Sequence, residues 1–588
     1  MTKKTIAKFT TAQQLGAIIK SARKLMRKDK GLSGDLDRLP MLTWIMFLKF
    51  LDDMESIREQ EATMAGERFR PAIESPYRWR DWAALPNGIT GDELIAFVNN
   101  EEAVRPDGTR GAGLFAYLRG LQGSNGGDKR DVIATVFKGT INRMISGYIL
   151  RDVMNKVNGI HFTSSEEIHV LGNLYESMLK EMRDAAGDSG EFYTPRPVIR
   201  FMVTVMNPQL GETVLDPATG TGGFLVESLI HLKKQCRTVK DEGTLQKKTI
   251  FGYEPKPLPY LLSQMNLLLH GLESPKIDSA NALGGKLTEI GDKDRVDVIL
   301  TNPPFGGEEE KGIQGNFPED KRTGETALLF LQLIMRKLRR HPRPGRAAVI
   351  APNGTLSGDG VCARVKEELL KEFNLHTIVR LPNGVFSPYT PIPTNILLFD
   401  RSGPTREVWF YEQPLPEGRK NYTKTVPIQF DEFTDCLKWW EARTENDHAW
   451  KWDFRKDFDE AVVKAKPHWE TAEADRKRAA ALNQQAKEIA RRIDELRASK
   501  PKEAKLLERR RSEITQVANA AEFKAREEQN MGDGIYWPLF NIDRKNPRAK
   551  EHVTHVPPER IAESIIQKES RIAEIMTNIR ELLANQQR

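Results

Sequence analysis

Cysteine is scarce in this sequence. The chain of 588 residues contains only Cys236, Cys362 and Cys436. They lie far apart and show no Cys-x-x-Cys spacing, so neither a disulfide framework nor a zinc site is predicted. The pair His552 and His555 lacks the glutamate and third ligand of a zinc protease. We therefore expect no metal, and the few cysteines fit a reducing cytoplasm.

Long apolar runs are also missing. The most apolar stretch, residues 39–51, is too short to span a bilayer and contains Lys49, and no signal peptide precedes it. The spacing of Leu42, Ile45 and Leu48 instead predicts a helix that is buried on a wide face. We expect a cytoplasmic protein without a membrane partner.

An excess of charge of one sign is absent as well. The 89 Lys and Arg residues nearly balance 82 Asp and Glu residues, for a net charge of +7. This modest excess permits nucleic-acid binding without requiring it. A chain of this length favours several domains and easily buries a large core.

A glycine-rich turn, Asp-Pro-Ala-Thr-Gly-Thr-Gly-Gly-Phe, begins at Asp216. An apolar strand precedes it and a helical pattern follows, which is the context of a nucleotide-binding turn. Glycine permits unusual backbone angles and close approach of a ligand to helix N–H groups. A second predicted strand ends at Glu254, whose carboxylate can accept hydrogen bonds from both ribose hydroxyls of an adenosine. Glu254 lies later than the ~20 residues typical of nicotinamide sites, which disfavours a dehydrogenase.

The sequence Asn302-Pro303-Pro304-Phe305 is the more specific signal. It follows a predicted buried strand, at the edge where open α/β sheets place ligands. An aromatic amine is a poor nucleophile because its lone pair is delocalised into the ring. The Asn302 side-chain oxygen and the Pro303 carbonyl could hold both amine hydrogens and turn the lone pair toward a sulfonium methyl group, while Phe305 stacks on the base. We expect direct transfer through positioning and electrostatics.

At these residues the chain resembles the modification subunit of Type I restriction-modification systems, a family of adenine-N6 DNA methyltransferases. Further segments that match the family lie at residues 190–197, 345–354 and 394–399. The resemblance covers most of the chain and is weakest over the long C-terminal helices. It implies a doubly wound, Rossmann-like methyltransferase sheet, flanked by an N-terminal helical domain and C-terminal coiled-coil helices.

The resemblance implies S-adenosylmethionine as cofactor. The residues that it places around the cofactor are Glu191, Phe192, Tyr193, Thr194, Pro195, Arg196, Asp216, Gly220, Thr221, Gly222, Gly223, Glu254 and Asn281. Asn281 stands where many amino-methyltransferases outside this family carry aspartate. The residues that it places at a flipped adenine are Asn302, Pro303, Pro304 and Phe305.

The implied partners are double-stranded DNA, a separate specificity subunit and a second copy of this chain, with a restriction subunit left open. Coiled-coil helices stand where related enzymes carry target recognition, so the sequence would be read by another chain. The pattern GxxxxGK[ST] is absent, which argues against a translocating restriction subunit.

We assign residues 1–160 to the N-terminal helical domain, 161–465 to the methyltransferase domain and 466–588 to a helical region for subunit assembly. Within the last region, a seam predicts an antiparallel hairpin of two helices or a docking surface for a partner. The seam consists of Leu482, Ala486, Ile489, Ile493 and Leu496, and it resumes at Leu507, Ile514 and Val517. A last predicted helix begins near Ile561.

Other functions stay open on the residues alone. The Asn-Pro-Pro-Phe motif resembles one that also serves cytosine-N4, guanine-N2 of ribosomal RNA and protein glutamine methylation. The large helical flanks disfavour glutamine methylation, whereas cytosine-N4 stays open. Outside methylation, the alternative is a non-catalytic scaffold that binds S-adenosylmethionine and organises a DNA-bound complex. The intact Asn302, Pro303 and Phe305 argue against it.

Overall fold

The computed structural model describes residues 12–123, 129–162, 194–387, 390, 392–423, 425–498 and 500–548, together with residues 566, 569 and 576. The chain divides into two compact units, residues 1–544 and 545–588, and every element described below belongs to the first. The predicted last helix near Ile561 and the predicted cofactor residues Glu191, Phe192 and Tyr193 lie outside the described residues.

Helices dominate the described part of the chain before the sheet. They are α1 (Ala12–Met26), α2 (Asp35–Ala65), α3 (Trp79–Trp82), α4 (Gly91–Asn99), α5 (Leu114–Arg119), α6 (Lys129–Lys138) and α7 (Gly147–Val157). A hairpin of β1 (Glu102–Val104) and β2 (Arg110–Ala112) lies between α4 and α5. Helix α2 is buried as predicted, with Leu42, Ile45 and Leu48 at most 3% exposed. Its buried Lys49 is neutralised by an ion pair with Asp53, one turn further along.

A nine-stranded sheet follows. Its strands are β3 (Val214–Asp216), β4 (Ile250–Tyr253), β5 (Lys276–Asp278), β6 (Val298–Thr301), β7 (Arg346–Pro352), β8 (Asn374–Arg380), β9 (Thr394–Asp400), β10 (Glu407–Glu412) and β11 (Ala449–Asp453). They lie in the order β5-β4-β3-β6-β7-β9-β8-β10-β11. Neighbours are parallel except where β9 pairs with β7 and β8, and where β11 pairs with β10.

Helices cover both faces of this sheet, which confirms the predicted doubly wound class. They are α8 (Arg196–Met206), α9 (Gly223–Lys233), α10 (Val239–Lys248), α11 (Pro257–Leu269), α12 (Lys311–Gln314), α13 (Thr326–Lys337), α14 (Asn353–Ser357), α15 (Val361–Glu372) and α16 (Thr434–Glu441). Successive strand residues point to opposite faces. Val298 and Leu300 therefore join one hydrophobic core with α8, α9 and α11, whereas Ile299 joins the other with α13 and α15.

The strand order reverses between β3 and β6. The chain runs outward from β3 to β4 and β5, then returns to place β6 on the other side of β3. In open α/β sheets the carboxyl ends of the strands at such a switch point form a ligand crevice. The residues that follow β3 and β6 therefore line one crevice.

The sheet continues into a long antiparallel hairpin of α17 (Phe454–Leu496) and α18 (Pro501–Tyr536). Side chains join the two helices along their length. His468 Nδ1 lies 2.7 Å from the Glu528 carboxylate, and the Trp469 indole N–H donates to Asp533 at 3.0 Å. The intramolecular hairpin is therefore formed.

The hairpin seam differs from the predicted one. Its buried positions on α17 recur every seven residues, at Ala465, Ala472, Ala479, Ala486 and Ile493; on α18 they include Ala504, Ala518, Ala525 and Gly532. Of the predicted seam, Ala486 and Ile493 are buried, whereas Leu482 is only partly buried and Val517 is 45% exposed. Small alanine side chains occupy the contact line, so the larger apolar residues lie beside it.

Gly532 is expected to be essential for close packing in this hairpin. A Cβ there would lie 2.6 Å from Trp469 Nε1, so Gly532→Ala should destabilise the protein by about 1–3 kcal/mol through overpacking. Gly534→Ala is the matched control, since no heavy atom lies within 4 Å of its added Cβ. It should stabilise the helix by about 0.5–1 kcal/mol. Denaturant titration followed by tryptophan fluorescence measures both, and equal effects would contradict the packing account.

Candidate active site

The crevice between β3 and β6 brings the two predicted motifs together. Strand β3 ends at Asp216, and Asn302 follows the last residue of β6. The hydroxyl of Thr301 donates a 2.7 Å hydrogen bond to Oδ1 of Asp216, a residue 85 positions earlier. Because both side chains are buried, this bond fixes the start of the glycine turn against the start of the Asn302 segment.

The turn after β3 requires glycine. Gly220 has a φ of +55° and Gly222 one of +83°, and residues with a Cβ disfavour such angles. A Cβ at Gly222 would also lie 3.3 Å from the Cβ of Ser263 in α11. At Gly223 a Cβ would lie 2.7 Å from Cδ1 of Ile199 in α8. A larger residue at position 222 would therefore press on Ser263 of α11, and one at position 223 would force the Ile199 side chain to move.

Glu254, which follows β4, holds the same turn. Its Oε2 accepts a 2.9 Å hydrogen bond from the backbone N–H of Gly220. Its Oε1 accepts a hydrogen bond of equal length from the backbone N–H of Lys256. Burial raises the pKa of this carboxyl. A carboxylate oxygen can accept more than one hydrogen bond, so the predicted contact with ribose hydroxyls is compatible with these bonds and stays a prediction.

Asn302 presents an acceptor without a donor. Its Nδ2 donates a 3.0 Å hydrogen bond to the hydroxyl of Thr194, a buried side chain. Its Oδ1 is buried and has no hydrogen-bond partner among the described residues. A buried polar atom left in this state is costly unless a ligand satisfies it. Thr194 therefore fixes the amide so that the oxygen is the atom left for a ligand.

The segment before α8 closes the crevice from the side. Pro195 precedes the first residue of α8, and Arg196 donates a 2.8 Å hydrogen bond from Nη1 to the carbonyl of Gly223. Thr194 contacts Asn302, so this segment touches both the glycine turn and the Asn302 motif. The predicted cofactor residues from three parts of the chain thus meet in space.

A small cavity lies where these parts meet. Its lining is formed by Thr194, Arg196, Ile199, Asp216, Ala218, Thr219, Gly220, Thr221, Gly223, Phe224 and Asn302. The cavity thus joins the glycine turn, the start of α8 and the Asn302 motif.

Asp216 is the most strongly perturbed carboxyl in this crevice. Burial, and next to it the charge of Glu254, raises its pKa from an ordinary value of 3.8 to about 7. Oδ1 accepts hydrogen bonds from Thr301 and from the backbone N–H of Ala218. Oδ2 is buried without a hydrogen-bond partner among the described residues. A positively charged ligand in the crevice would favour the ionised form.

Two of the predicted cofactor residues have local roles in the structure. The Asn281 side-chain oxygen accepts a 2.9 Å hydrogen bond from the N–H of Leu283, so it closes a turn after β5, and Asn281 does not line the cavity. The carbonyl of Thr221 accepts a hydrogen bond from Asn266 Nδ2. The predicted cofactor contact of Asn281 stays a prediction.

Phe305 meets an aromatic side chain that the sequence did not indicate. Its ring packs edge to face against Phe386, with centroids 6.0 Å apart and planes at 77°. Phe386 is 5% exposed and lies between β8 and β9. The two residues are far apart in sequence, and only the folded sheet brings them together. Phe305 and Phe386 thus form an aromatic wall just beyond Asn302, although neither ring lines the cavity.

Among the described residues, no group of three or more His, Cys, Asp or Glu side chains is arranged to hold a metal ion. None of the helices described is long and apolar enough to cross a membrane.

An amide oxygen without a donor, beside a glycine turn between a strand and a helix, is suited to holding the hydrogens of an amine while that amine acts as nucleophile. This geometry is the one expected of an amino-methyltransferase.

Comparisons with known proteins narrow this class. The family described as N-6 DNA Methylase matches residues 166–466, and the HsdM N-terminal domain matches residues 15–157. The methylase subunit of the Type I restriction enzyme EcoEI from Escherichia coli is 47% identical over 447 residues, which cover 74% of this chain and 86% of that protein.

Two solved structures are also similar. A chain assigned as the modification subunit of a type I restriction enzyme from Vibrio vulnificus YJ016 is 71% identical, with a TM-score of 0.70, and the match covers 76% of this chain and 94% of that one. A chain from a study of complex assembly and conformational transition in the type I R-M system is 33% identical, with a TM-score of 0.68 and coverage of 98% and 99%.

The chain belongs to the family of modification (methylase) subunits of Type I restriction-modification systems. It is an adenine-specific DNA methyltransferase that functions in a complex with other subunits. The resemblance, fold class and activity predicted from the sequence are thereby confirmed, and the non-catalytic and cytosine-N4 alternatives are not favoured.

Asp216 should make the stability of the ligand-free protein depend on pH. The folded state keeps a proton on Asp216 up to about pH 7, whereas the unfolded chain loses it near pH 4. Raising the pH through this window therefore destabilises the folded state, and the loss is complete above pH 7. At 1.36 kcal/mol per pKa unit, the loss of unfolding free energy across this window is on the order of 4 kcal/mol.

Thermal unfolding of wild type and Asp216→Asn from pH 5 to pH 8 tests this expectation. The variant carries no titratable group at this position, so the wild-type melting temperature should fall relative to that of the variant. Curves that stay parallel across this range would show that Asp216 is ionised throughout.

Proposed function

We propose that this chain transfers a methyl group from S-adenosylmethionine to N6 of an adenine flipped out of double-stranded DNA, with Asn302 and Pro303 holding the amine. The observation that carries the proposal is the buried Oδ1 of Asn302, which has no donor while Nδ2 is fixed by Thr194. An amine hydrogen supplies the missing donor.

Several features of the residues around the cavity beside Asn302 favour the proposed cofactor. The positive φ angles of Gly220 and Gly222 let the backbone approach a ligand closely, and a Cβ at Gly222 would reach α11. The unpartnered Oδ2 of Asp216 favours a ligand that carries positive charge. When bound, S-adenosylmethionine supplies an electrophilic methyl group on a positively charged sulfur.

We assign the cofactor to the predicted residues Thr194, Pro195, Arg196, Asp216, Gly220, Thr221, Gly222, Gly223 and Glu254. Glu254 would accept from the ribose, because its carboxylate lies at the glycine turn. Glu191, Phe192, Tyr193 and Asn281 complete the proposed set on the resemblance alone.

The residues of the Asn302 motif would activate the base by orientation. Oδ1 of Asn302 and the carbonyl of Pro303 accept the two amine hydrogens, which draws electron density toward the nitrogen and aims its lone pair into the cofactor cavity. Pro304 restricts the backbone that follows. The base would stack on Phe305, and the buried Phe386 would support that ring edge to face. Neither Asn302 nor Pro303 forms a covalent bond, so the rate enhancement comes from preorganised geometry.

We further propose that a separate specificity subunit reads the DNA sequence, and that the cytoplasmic complex contains a second copy of this chain. A restriction subunit would join the form that also cleaves DNA. The proposal keeps the division into residues 1–160, 161–465 and 466–588. The helical hairpin that follows the strands of the sheet supports a separate region for assembly. The methylase chain would then supply the chemistry while a partner supplies the sequence specificity.

Asn302→Ala should separate chemistry from cofactor binding. Removing one oriented acceptor at the reacting amine typically costs about 10²- to 10³-fold in rate, whereas S-adenosylmethionine affinity should change little. Modification-sensitive sequencing of host DNA, with calorimetry of cofactor binding, measures both. Asn316→Ala is a matched control, since the Asn316 amide bonds to the Leu283 carbonyl outside the cavity. Equal loss of methylation and cofactor binding in Asn302→Ala would refute the assigned role.

Gly222→Val should instead weaken cofactor binding. The new side chain meets Ser263 and forces an unfavourable φ, so affinity should fall by about 10- to 100-fold through overpacking. Gly211→Val is the control for backbone strain, because Gly211 has a φ of +96° but no heavy atom within 4 Å of an added Cβ. If Gly222→Val bound S-adenosylmethionine normally by calorimetry, the cofactor site would be misplaced.

A further inference from the structure

The loop between β8 and β9 carries Phe386, one of the two rings of the aromatic wall. The Phe386 ring contacts Phe305. The loop begins after Arg380, the last residue of β8, and ends at Thr394 and Asn395, the first residues of β9. Arg380 and Asn395 pair in register across the two strands. Strand pairing fixes the backbones of these two residues, and their side-chain contacts add to it at the two ends of the loop.

The carboxylate of Asp543 is connected to both ends of this loop, directly to Arg380 and through Asn353 to Asn395. Oδ1 of Asp543 accepts a 2.8 Å hydrogen bond from Nη2 of Arg380. Oδ2 of Asp543 accepts a 3.1 Å hydrogen bond from Nδ2 of Asn353. The Oδ1 of Asn353 in turn accepts a 3.2 Å hydrogen bond from Nδ2 of Asn395. The two oxygens of Asp543 are thus divided between the two ends of the loop.

The network also accounts for two sequence segments that carry no role in the chemistry above. Asn353 lies in the segment 345–354 and Asn395 in the segment 394–399, both of which support the family resemblance. Their side chains bond to each other, and Asn395 is 2% exposed. A buried amide pair with defined donors and acceptors specifies one arrangement of the groups around it.

Asp543 itself is held firmly, on the segment that follows the hairpin. The N–H of Ile542 donates a 3.0 Å hydrogen bond to the carbonyl of Leu356 in α14. Phe540 and Ile542 are fully buried in the core that α15 shares with the sheet. The position of this carboxylate is therefore tied to the base of the hairpin, and its hydrogen bond to Arg380 is strengthened by charge.

Other carboxylates tie the hairpin together without reaching the loop. Asp533 accepts hydrogen bonds from the Trp469 indole and from Gln529, so it joins α17 to α18. Tyr536 donates to Glu367 of α15. A purely structural requirement is met by bonds of this kind, whereas Asp543 bonds to residues at the edge of the crevice.

We propose that Asp543 is a positioning residue for methyl transfer: through Arg380, Asn353 and Asn395 it fixes both ends of the loop that holds Phe386 against Phe305. This inference rests on the proposed function, in which the target base stacks on Phe305. Asp543 thereby links the segment that follows the helical hairpin to the aromatic wall of Phe305 and Phe386. A displacement of the hairpin would then alter how the target adenine is held.

Asp543→Asn tests the network through donor and acceptor mismatch. The new amide can still accept from Arg380, but its NH₂ then faces the NH₂ of Asn353, and two donors cannot bond. In the native complex, the single-turnover rate of methyl transfer at the host target sequence should fall by about tenfold, as expected for one lost oriented bond. Cofactor affinity and melting temperature should stay near wild type.

The reciprocal double variant Asp543→Asn with Asn353→Asp supplies the rescue. The new carboxylate at position 353 accepts from the amide at position 543 and from Asn395, so donors and acceptors match again and the net charge is unchanged. The transfer rate should recover to within about threefold of wild type, a difference below 1 kcal/mol. Fluorescence of 2-aminopurine placed at the target adenine should report altered base stacking in the single variant and recovery in the double variant.

Asp533→Asn and Asn302→Ala complete the design. If Asp543→Asn transfers methyl groups at the wild-type rate while Asn302→Ala does not, the inference on Asp543 fails and the proposed function stands. If Asn302→Ala transfers methyl groups at the wild-type rate, the proposed function fails first. A parallel loss of stability and rate in Asp543→Asn and Asp533→Asn, without a change in 2-aminopurine emission, would show that Asp543 is only a structural tie.

Discussion

The adjacency of β3 and β6 is the constraint on which the rest of the site depends. It places Asp216 and Thr301 within one hydrogen bond of each other, although 85 residues separate them. The glycine turn on one strand and the Asn302 segment on the other are thereby fixed in one crevice. The arrangement carries an energetic cost, because Asp216 is fully buried and its pKa rises to about 7. Such costs are typical of sites that are preorganised for a ligand.

Local signals explain why part of this site could be predicted from the sequence. A glycine turn between a strand and a helix, and an asparagine just beyond a buried strand, are patterns within a few residues, and strand direction alone brings their ends to one edge. The partner of Asn302 could not be predicted in this way. Thr194 lies 108 residues away, and nothing in its immediate sequence states that its hydroxyl will meet the Asn302 amide.

The same distinction holds for the rest of the fold. The buried face of α2 follows from the spacing of apolar residues and was predicted correctly. In the hairpin the pattern indicated two paired helices, but the larger residues Leu482 and Ile489 suggested a seam that alanines occupy instead. Helices approach each other more closely across small side chains. Side-chain size therefore determined the contact line between the two helices, and a pattern of apolar residues does not include size. Phe386 and Asp543 depend on contacts between distant elements, and sequence reasoning missed both.

These long-range contacts have a common consequence for function. The two oxygens of Asp543 are shared between Arg380 and Asn353, and Phe386 lies on the loop between β8 and β9 that this network bounds. The amide of Asn302 is oriented by Thr194, on a segment that also contacts the glycine turn through Arg196. The proposed cofactor site and the proposed adenine site are thus each supported by residues that lie outside the Asn302 motif. An enzyme that works by orientation, without a covalent intermediate, depends on such supporting contacts as much as on the motif itself.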